Sequence, residues 1–191
     1  MFSLNMILDD CNHCMSEHRY NHTLGVVETA QKLAVYYGID SYKAKMAAAL
    51  HDCSRTADIT EEQMQKLALR TAFTDEYPSQ TNGVALLHAL ASEVLAREKY
   101  GITDMEILSA VRWHTTGRKN MTDIEMIVYS ADMIEPQRHF EGVEGLRVFM
   151  YMGLERLTFE CLKHTVMYLQ DCKQKIHQCT LDAYEYLKKN A

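Results

Sequence analysis

The chain has 191 residues, 47% hydrophobic and 24% charged, the composition of an ordinary globular protein with room for one sizeable core. A net charge of -6 excludes broad attraction to nucleic acid or an anionic membrane, so any phosphate-bearing ligand must be held by local cations or metals. No apolar run reaches membrane-spanning length, and the N-terminus lacks the charge pattern and apolar core of a signal peptide; a cytoplasmic protein is expected.

With 2 prolines and 8 glycines, the chain reads as long helices joined by short connections. A first helix is expected over about 4–14. Ser16 caps a second that runs to Tyr37 and stops at Gly38. Asp40 or Ser41 opens a third, whose run Ala47-Ala48-Ala49-Leu50 ends in His51-Asp52. Thr60 opens a fourth, polar helix ending near Thr71. Residues 72–83 read as a loop, since Asp75, Pro78, Ser79, Asn82 and Gly83 are all turn formers. Helices follow from Val84 to about Tyr100 and from Thr103-Asp104 to His114. After a polar loop over 115–120, another starts at Thr122 and must end before Pro136. Gly142 and Gly145 punctuate the next connection, and two helices, about 145–169 and 172–189, finish the chain. The expected fold is all-α: one domain over 1–191, a helical bundle.

The six cysteines, at 11, 14, 53, 161, 172 and 179, form no dense disulfide framework and read as reduced thiols. Cys11 and Cys14 make a C-x-x-C, but no second such pair completes four zinc ligands. Cys161 with His164 is the conceivable other half.

Helical spacing brings polar residues onto apolar faces. The second helix aligns His22 with Val26, Ala30 and Leu33. The helix after the loop aligns His88 with Leu87, Ala91 and Leu95. The next two align His114 with Ile107, Ala110 and Val111, and Asp132 with Ile124, Ile127, Val128 and Ala131. One such histidine is more often a hydrogen-bonded core residue than a ligand. An aspartate on a core face is costly without a cation or hydrogen bonds, and His51-Asp52 adds a second. If these faces converge, four histidines and two aspartates form a metal site. Nitrogen and oxygen ligands without thiolate suit iron, manganese, cobalt, zinc or magnesium. Six ligands can hold two ions with positions left for water and substrate, and the chemistry implied is hydrolytic attack on phosphorus.

The order His22, His51-Asp52, His88, His114, Asp132 resembles the HD-domain superfamily of metal-dependent phosphohydrolases. Arg19-Tyr20-Asn21-His22, the segment from Ala48 to Arg55, Leu87-His88-Ala89, Trp113-His114-Thr115-Thr116-Gly117-Arg118 and the segment from Ala131 to Arg138 narrow the likeness. Together, with Ile176-His177 and Thr180-Leu181 near the end, they resemble the YqeK family, the symmetrical diadenosine tetraphosphate hydrolases of bacteria. The likeness covers about residues 16–187. It implies an HD domain with its metal-site core at about 18–138 and the helices over about 145–189 closing the bundle. It also implies a two-metal site, with iron as the expected metal and manganese, cobalt or magnesium as alternatives, and cleavage of the tetraphosphate to two ADP. By this resemblance His22, His51, Asp52 and Asp132 hold one ion, His88 and His114 the other, and Asp52 bridges them and is catalytic. Two positions depart from the family: Arg55 stands where lysine is usual, and Glu185 lies near a usual asparagine. Arg55 keeps the charge but turns a point into a planar fork.

Arg19, Arg55, Arg118 and Arg138 are the cations nearest these ligands in sequence and are assigned to the polyphosphate. Thr115, Thr116 and Gly117 offer hydroxyl and backbone donors to phosphate, or else cap a helix end. Glu135, one turn from Asp132, is expected to support a ligand, not to bind metal. His18 is a candidate general acid. Methionine and tyrosine are abundant, but such faces are usually core, so no adenine pocket is inferred. The expected partner is a small nucleotide, with no nucleic acid or membrane, and a homodimer is left open. Two alternatives carry the same ligands: another HD-type nucleotide phosphohydrolase or phosphodiesterase, and a non-catalytic nucleotide sensor.

Overall fold

The computed structural model describes residues 2–71 and 84–189. Among them every regular element is helical. In chain order these are α1 (Leu4–Cys14), α2 (Glu17–Tyr37), α3 (Ser41–Leu50), α4 (Glu61–Ala68), α5 (Val84–Glu98), α6 (Met105–Trp113), α7 (Asp123–Ile134), α8 (Val143–Arg147), α9 (Leu154–Asp171) and α10 (Gln178–Leu187). None of the described helices is long and apolar enough to cross a membrane. The loop expected over 72–83 lies outside the described residues.

The helix starts follow local chemistry. Ser16 accepts from Arg19 N, and Asp40 accepts from Tyr42 N and Lys43 N. Thr60 with Gln63, and Thr122 with Glu125, close reciprocal capping boxes that satisfy otherwise orphaned N–H groups. Gly38 ends α2 in the left-handed region at φ 69°. The fourth helix stops earlier than expected, at Ala68, and turns through Leu69 and Arg70.

The C-terminal third corrects the sequence reading. The single helix expected over about 145–169 is α8, a 3-10 turn over Val148–Tyr151, and then α9. The break falls at Gly153, whose φ of 122° no helix contains and which precedes the first residue of α9. Gly145, expected in a connection, lies inside α8. The last helix begins at Gln178, not 172. Lys173 turns at φ 53°, and His177 caps the helix by accepting from Cys179 N.

Helix α3 lies at the centre. It packs against α1, α2, α5, α6 and α7, and Ala44 and every residue from Met46 to Leu50 are buried. Its alanines are therefore more than helix formers: their short side chains let five neighbours approach a single helix closely. Around it lie Leu33, Tyr100, Leu108, Ile127 and Tyr129, all fully buried. On the far side of α7, α9 packs against it and α10 packs on α9. Because α3 is central, the residues at its C-terminus emerge where the inner faces of α2, α5, α6 and α7 meet.

Candidate metal centre

His51 caps the C-terminus of α3 and is fully buried; Asp52 follows in the turn and is also buried. His22 comes from α2, His88 from α5, His114 from the C-terminus of α6, and Asp132 from the last turn of α7. These six residues, one or two from each of five helices, meet in one place. The imidazoles form a run of edge-to-face contacts, with ring centroids 5.4 Å apart for His22–His51 and 5.0 Å for both His51–His114 and His88–His114.

The donor atoms fall into two groups that share Asp52, namely His22, His51 and Asp52, and Asp52, His88 and His114. The two carboxylate oxygens of Asp52 face different groups. Oδ2 is 3.6 Å from His51 Nε2, whereas Oδ1 is 3.4 Å from His88 Nε2 and 3.9 Å from His114 Nε2. Asp132 joins the first group: its Oδ1 is 3.0 Å from His22 Nε2 and 3.9 Å from His51 Nε2. His88 Nε2 and His114 Nε2 are 3.0 Å apart. Two donors each about 2.1 Å from one ion stand roughly 3.0–3.4 Å apart at octahedral or tetrahedral angles; the His22–Asp132, His88–His114 and Asp52–His88 spacings match this, and the other three, at 3.6–3.9 Å, are wider.

The hydrogen bonds behind the rings fix the tautomers. His51 Nδ1–H donates to Ala48 O at 2.7 Å and His114 Nδ1–H to Val111 O at 2.7 Å, which leaves each Nε2 with its lone pair toward the cluster. His22 Nδ1–H donates to the buried Glu135 carboxylate at 3.0 Å. Buried His51 Nε2 and Asp52 Oδ1 have no hydrogen-bond partner among the described residues. A buried acceptor-only nitrogen and a buried carboxylate oxygen, neither with a donor, are what a cation would satisfy, and the donor set therefore fits a metal.

The protonation states of His88 and His114 agree. Burial and the nearby His114 hold His88 down to about 3, and burial and His51 hold His114 down to about 4. Both are neutral, as metal ligation requires. Burial pushes Asp52 up, but its neighbours His51, His88, His114 and Arg55 outweigh that and hold the carboxyl below its usual range. His22 differs: burial works against charging it, yet hydrogen bonds to Asp132 and Glu135 raise it to about 9, so this ring must give up a proton to bind metal.

Three of the four arginines singled out from sequence reach the carboxylates. Arg19 Nη1 is 2.5 Å and Arg55 Nη1 3.8 Å from Asp52 Oδ2, and Arg138 Nη2 donates to Asp132 Oδ1 at 2.5 Å. Arg118 is turned elsewhere. Its Nε and Nη2 engage the buried Glu125 carboxylate at 3.1 and 3.0 Å, and Ser109 donates to the same oxygen. Thr115 is at the cluster, its Oγ1 3.1 Å from His88 Nε2 and 3.0 Å from His114 Nε2. Thr116 and Gly117 serve the fold: Thr116 O accepts from Thr180, and Gly117 turns the chain at φ 62° with its N–H on Trp113 O. His18 is exposed on the first turn of α2. Among the described residues, the groups able to hold a metal contain no cysteine, and all six cysteines are free, with Cys11 turned to Ala49 O.

Sequence reasoning missed Gly25. A Cβ there would overlap the Glu135 carboxylate, so the glycine is what admits Glu135 to His22. A lone glycine inside an otherwise regular helix, three residues after a candidate ligand, was the available signal. It also missed the Ser54–Ser92 pair, which ties the turn after Asp52 to α5. Ser54 N donates to Ser92 Oγ at 3.1 Å, and Ser54 Oγ donates to His88 O at 2.9 Å.

An all-helical bundle brings these six residues together on its inner faces, and residues 19–137 match the family described as HD domain. The chain belongs to the HD-domain family. Within that family it is 40% identical to the symmetrical bis(5'-nucleosyl)-tetraphosphatase of Halalkalibacterium halodurans, over 91% of this chain and 90% of that protein. It is 35% identical to the protein of the same name from Bacillus subtilis, over 91% of each. A crystal structure from Clostridium acetobutylicum, described as a "predicted HD superfamily hydrolase involved in NAD metabolism", superposes with a TM-score of 0.89 at 34% identity and covers all of both chains.

Proposed function

We propose that this protein is a symmetrical bis(5'-nucleosyl)-tetraphosphatase that hydrolyses diadenosine tetraphosphate to two ADP. The observation that carries the reading is the buried Asp52 carboxylate, shared between two groups of imidazoles and ringed by guanidinium groups. Relatives bearing that name at 35–40% identity over most of both chains support it. His22, His51, Asp52 and Asp132 would hold one ion and His88, His114 and Asp52 the other, with iron as the expected metal. Bound there, a metal pair supplies an activated water and Lewis-acid stabilisation of the phosphate oxygens.

The chain's own residues do the rest. Ala48 and Val111 carbonyls and Glu135 orient three imidazoles, so little reorganisation accompanies binding. Arg19, Arg55 and Arg138 offer planar donors to the polyphosphate and to the charge that accumulates on the leaving ADP. The Thr115 hydroxyl, between His88 and His114, is placed to donate to a phosphate oxygen. The reading treats 1–191 as one HD domain, with its metal-site core at about 18–138 and the later helices closing the bundle. It places the protein in the cytoplasm, where its six free thiols stay reduced. All six proposed ligands come from one chain, so a homodimer is not needed to complete the site.

The test is product analysis on protein loaded separately with iron, manganese, cobalt and magnesium. ADP as sole nucleotide product from diadenosine tetraphosphate supports the reading, and AMP plus ATP refutes it.

A further inference from the structure

Residues 135–138, where the chain leaves α7, carry two side chains that hold members of the first ligand group. The Glu135 carboxylate accepts from His22 Nδ1 at 3.0 Å, and Arg138 Nη2 donates to Asp132 Oδ1 at 2.5 Å. Each contact is only as well placed as the main chain beneath it. That main chain does not close the helix end by itself. Glu135 leaves helical geometry at ψ 155°, and Pro136, the next residue, has no N–H to return to the last carbonyls of α7.

One side chain takes those carbonyls. Arg147 Nε donates to Ile134 O at 2.9 Å, and its Nη2 donates to Glu135 O at 2.6 Å and to Arg138 O at 3.0 Å. Its Nη1 donates to the exposed Glu144 carboxylate, three residues back. Arg147 stands on α8, which packs against α7 and is anchored by buried Val143 and Leu146. Three carbonyls in different directions need several donors in a fixed plane, which arginine has and lysine lacks. Among the described residues, the hydrogen bonds of Arg147 go to these carbonyls and to Glu144, and none goes to the six cluster residues. It reaches the cluster only through the main chain over 134–138. The second ligand group is supported elsewhere: His114 Nδ1 donates to Val111 O, and the Thr115 hydroxyl lies beside His88 and His114.

We propose that Arg147 is a positioning residue for one ion of the pair and not the other. By holding the carbonyls of Ile134, Glu135 and Arg138, it sets where Glu135 meets His22 and where Arg138 meets Asp132. The inference rests on the two-ion site proposed above. Without the clasp, residues 135–138 shift, His22 and Asp132 lose their fixed orientation, and the ion of His22, His51, Asp52 and Asp132 loosens. The ion of His88 and His114 does not.

The experiment titrates the metal-free full chain with manganese(II), isolating each ligand group in turn: His88→Ala leaves the first group, and His22→Ala leaves the second. Arg147→Met keeps the length and removes every donor. It should weaken manganese binding about tenfold in the His88→Ala chain, the low end of the roughly 10–100-fold lost with a direct supporting partner, and by no more than about twofold in the His22→Ala chain. Arg147→Lys keeps the charge without the fork and should weaken the same group in the same way. Binding restored to the arginine level by lysine assigns the effect to charge and overturns the inference. Weakening at both groups alike, at the second alone, or at neither also overturns it, and leaves the proposed function standing. If Arg147→Met does not fold, Arg147→Lys carries the comparison with the same deciding outcomes. A chain with all six ligands that takes up no manganese removes the metal centre, and the proposed function falls with the inference.

Discussion

Replacing Gly25 by alanine sets two effects of opposite sign against each other. In the middle of a helix, alanine is favoured over glycine by about 0.8–1.0 kcal/mol. Against this, the new Cβ would overlap Glu135 Oε2 and come within 3.1 Å of its Cδ. Glu135 is 1% exposed, with Oε1 on His22 Nδ1 at 3.0 Å and Oε2 accepting from Gln137 N at 2.7 Å. Both carboxylate oxygens are engaged, so a shift away from the new Cβ weakens one of these bonds, and a hydrogen bond to a charged group contributes about 1.5–3 kcal/mol. The second effect wins, for a net destabilisation of about 1–2 kcal/mol, or a fall in Tm of about 2–8 °C for a chain of this size. Because Glu135 also orients a proposed ligand, metal affinity should fall about 10–100-fold. Thermal denaturation and metal titration of Gly25→Ala test both. The decisive measurement is the double-mutant cycle with Glu135→Ala: once the carboxylate is removed the clash is gone, and alanine at 25 should stabilise by about 1 kcal/mol. If Gly25→Ala has the same sign in both backgrounds, the reasoning is wrong.

Asp52→Asn keeps the volume but removes the charge shared by the two groups. Turnover of diadenosine tetraphosphate should fall by more than the roughly 10–100-fold typical of a supporting residue, and bound metal should fall with it; retained turnover would count against the site. Arg138→Ala should raise KM. Arg118→Ala should lower stability by about 1.5–3 kcal/mol, because it leaves the buried Glu125 carboxylate with fewer donors, with no comparable change in KM. Steady-state kinetics and denaturation of the two variants separate these roles. Asp10 supplies a pH test away from the cluster. Burial pushes it up, but hydrogen bonds from Lys99 and Tyr100, both at 2.6 Å, hold its folded value below the ordinary one. Its stabilisation is therefore present above the unfolded pKa of about 3.9 and is lost as pH falls through the lower folded value. Denaturation of Asp10→Asn across pH 2–6 should lack that part of the acid slope, and an unchanged profile would refute the assignment.

What could be read from the chain alone follows the range of the interactions. A cap is chemistry within four residues, so Ser16, Thr60 and Thr122 marked their helix starts, Gly38 marked an end, and of Asp40 and Ser41 the structure makes Asp40 the cap. Helical spacing likewise marked which faces carry His22, His88, His114 and Asp132 inward, because burial of the apolar neighbours decides the rotation of each helix. The break at Gly153 was missed because the residues on either side of it are both compatible with helix, and packing chose two pieces. Direction was decided only in three dimensions. Arg118 and Arg138 are equally good cations beside equally good motifs, but one meets Glu125 and the other Asp132. The pairing of Gly25 with Glu135 spans α2 and α7 and depends on where those helices cross. The division of Asp52 between two sets of imidazoles depends on carboxylate orientation at ångström scale. The sequence by itself determined which residues face inward; how the helices cross around α3 decided which atoms meet.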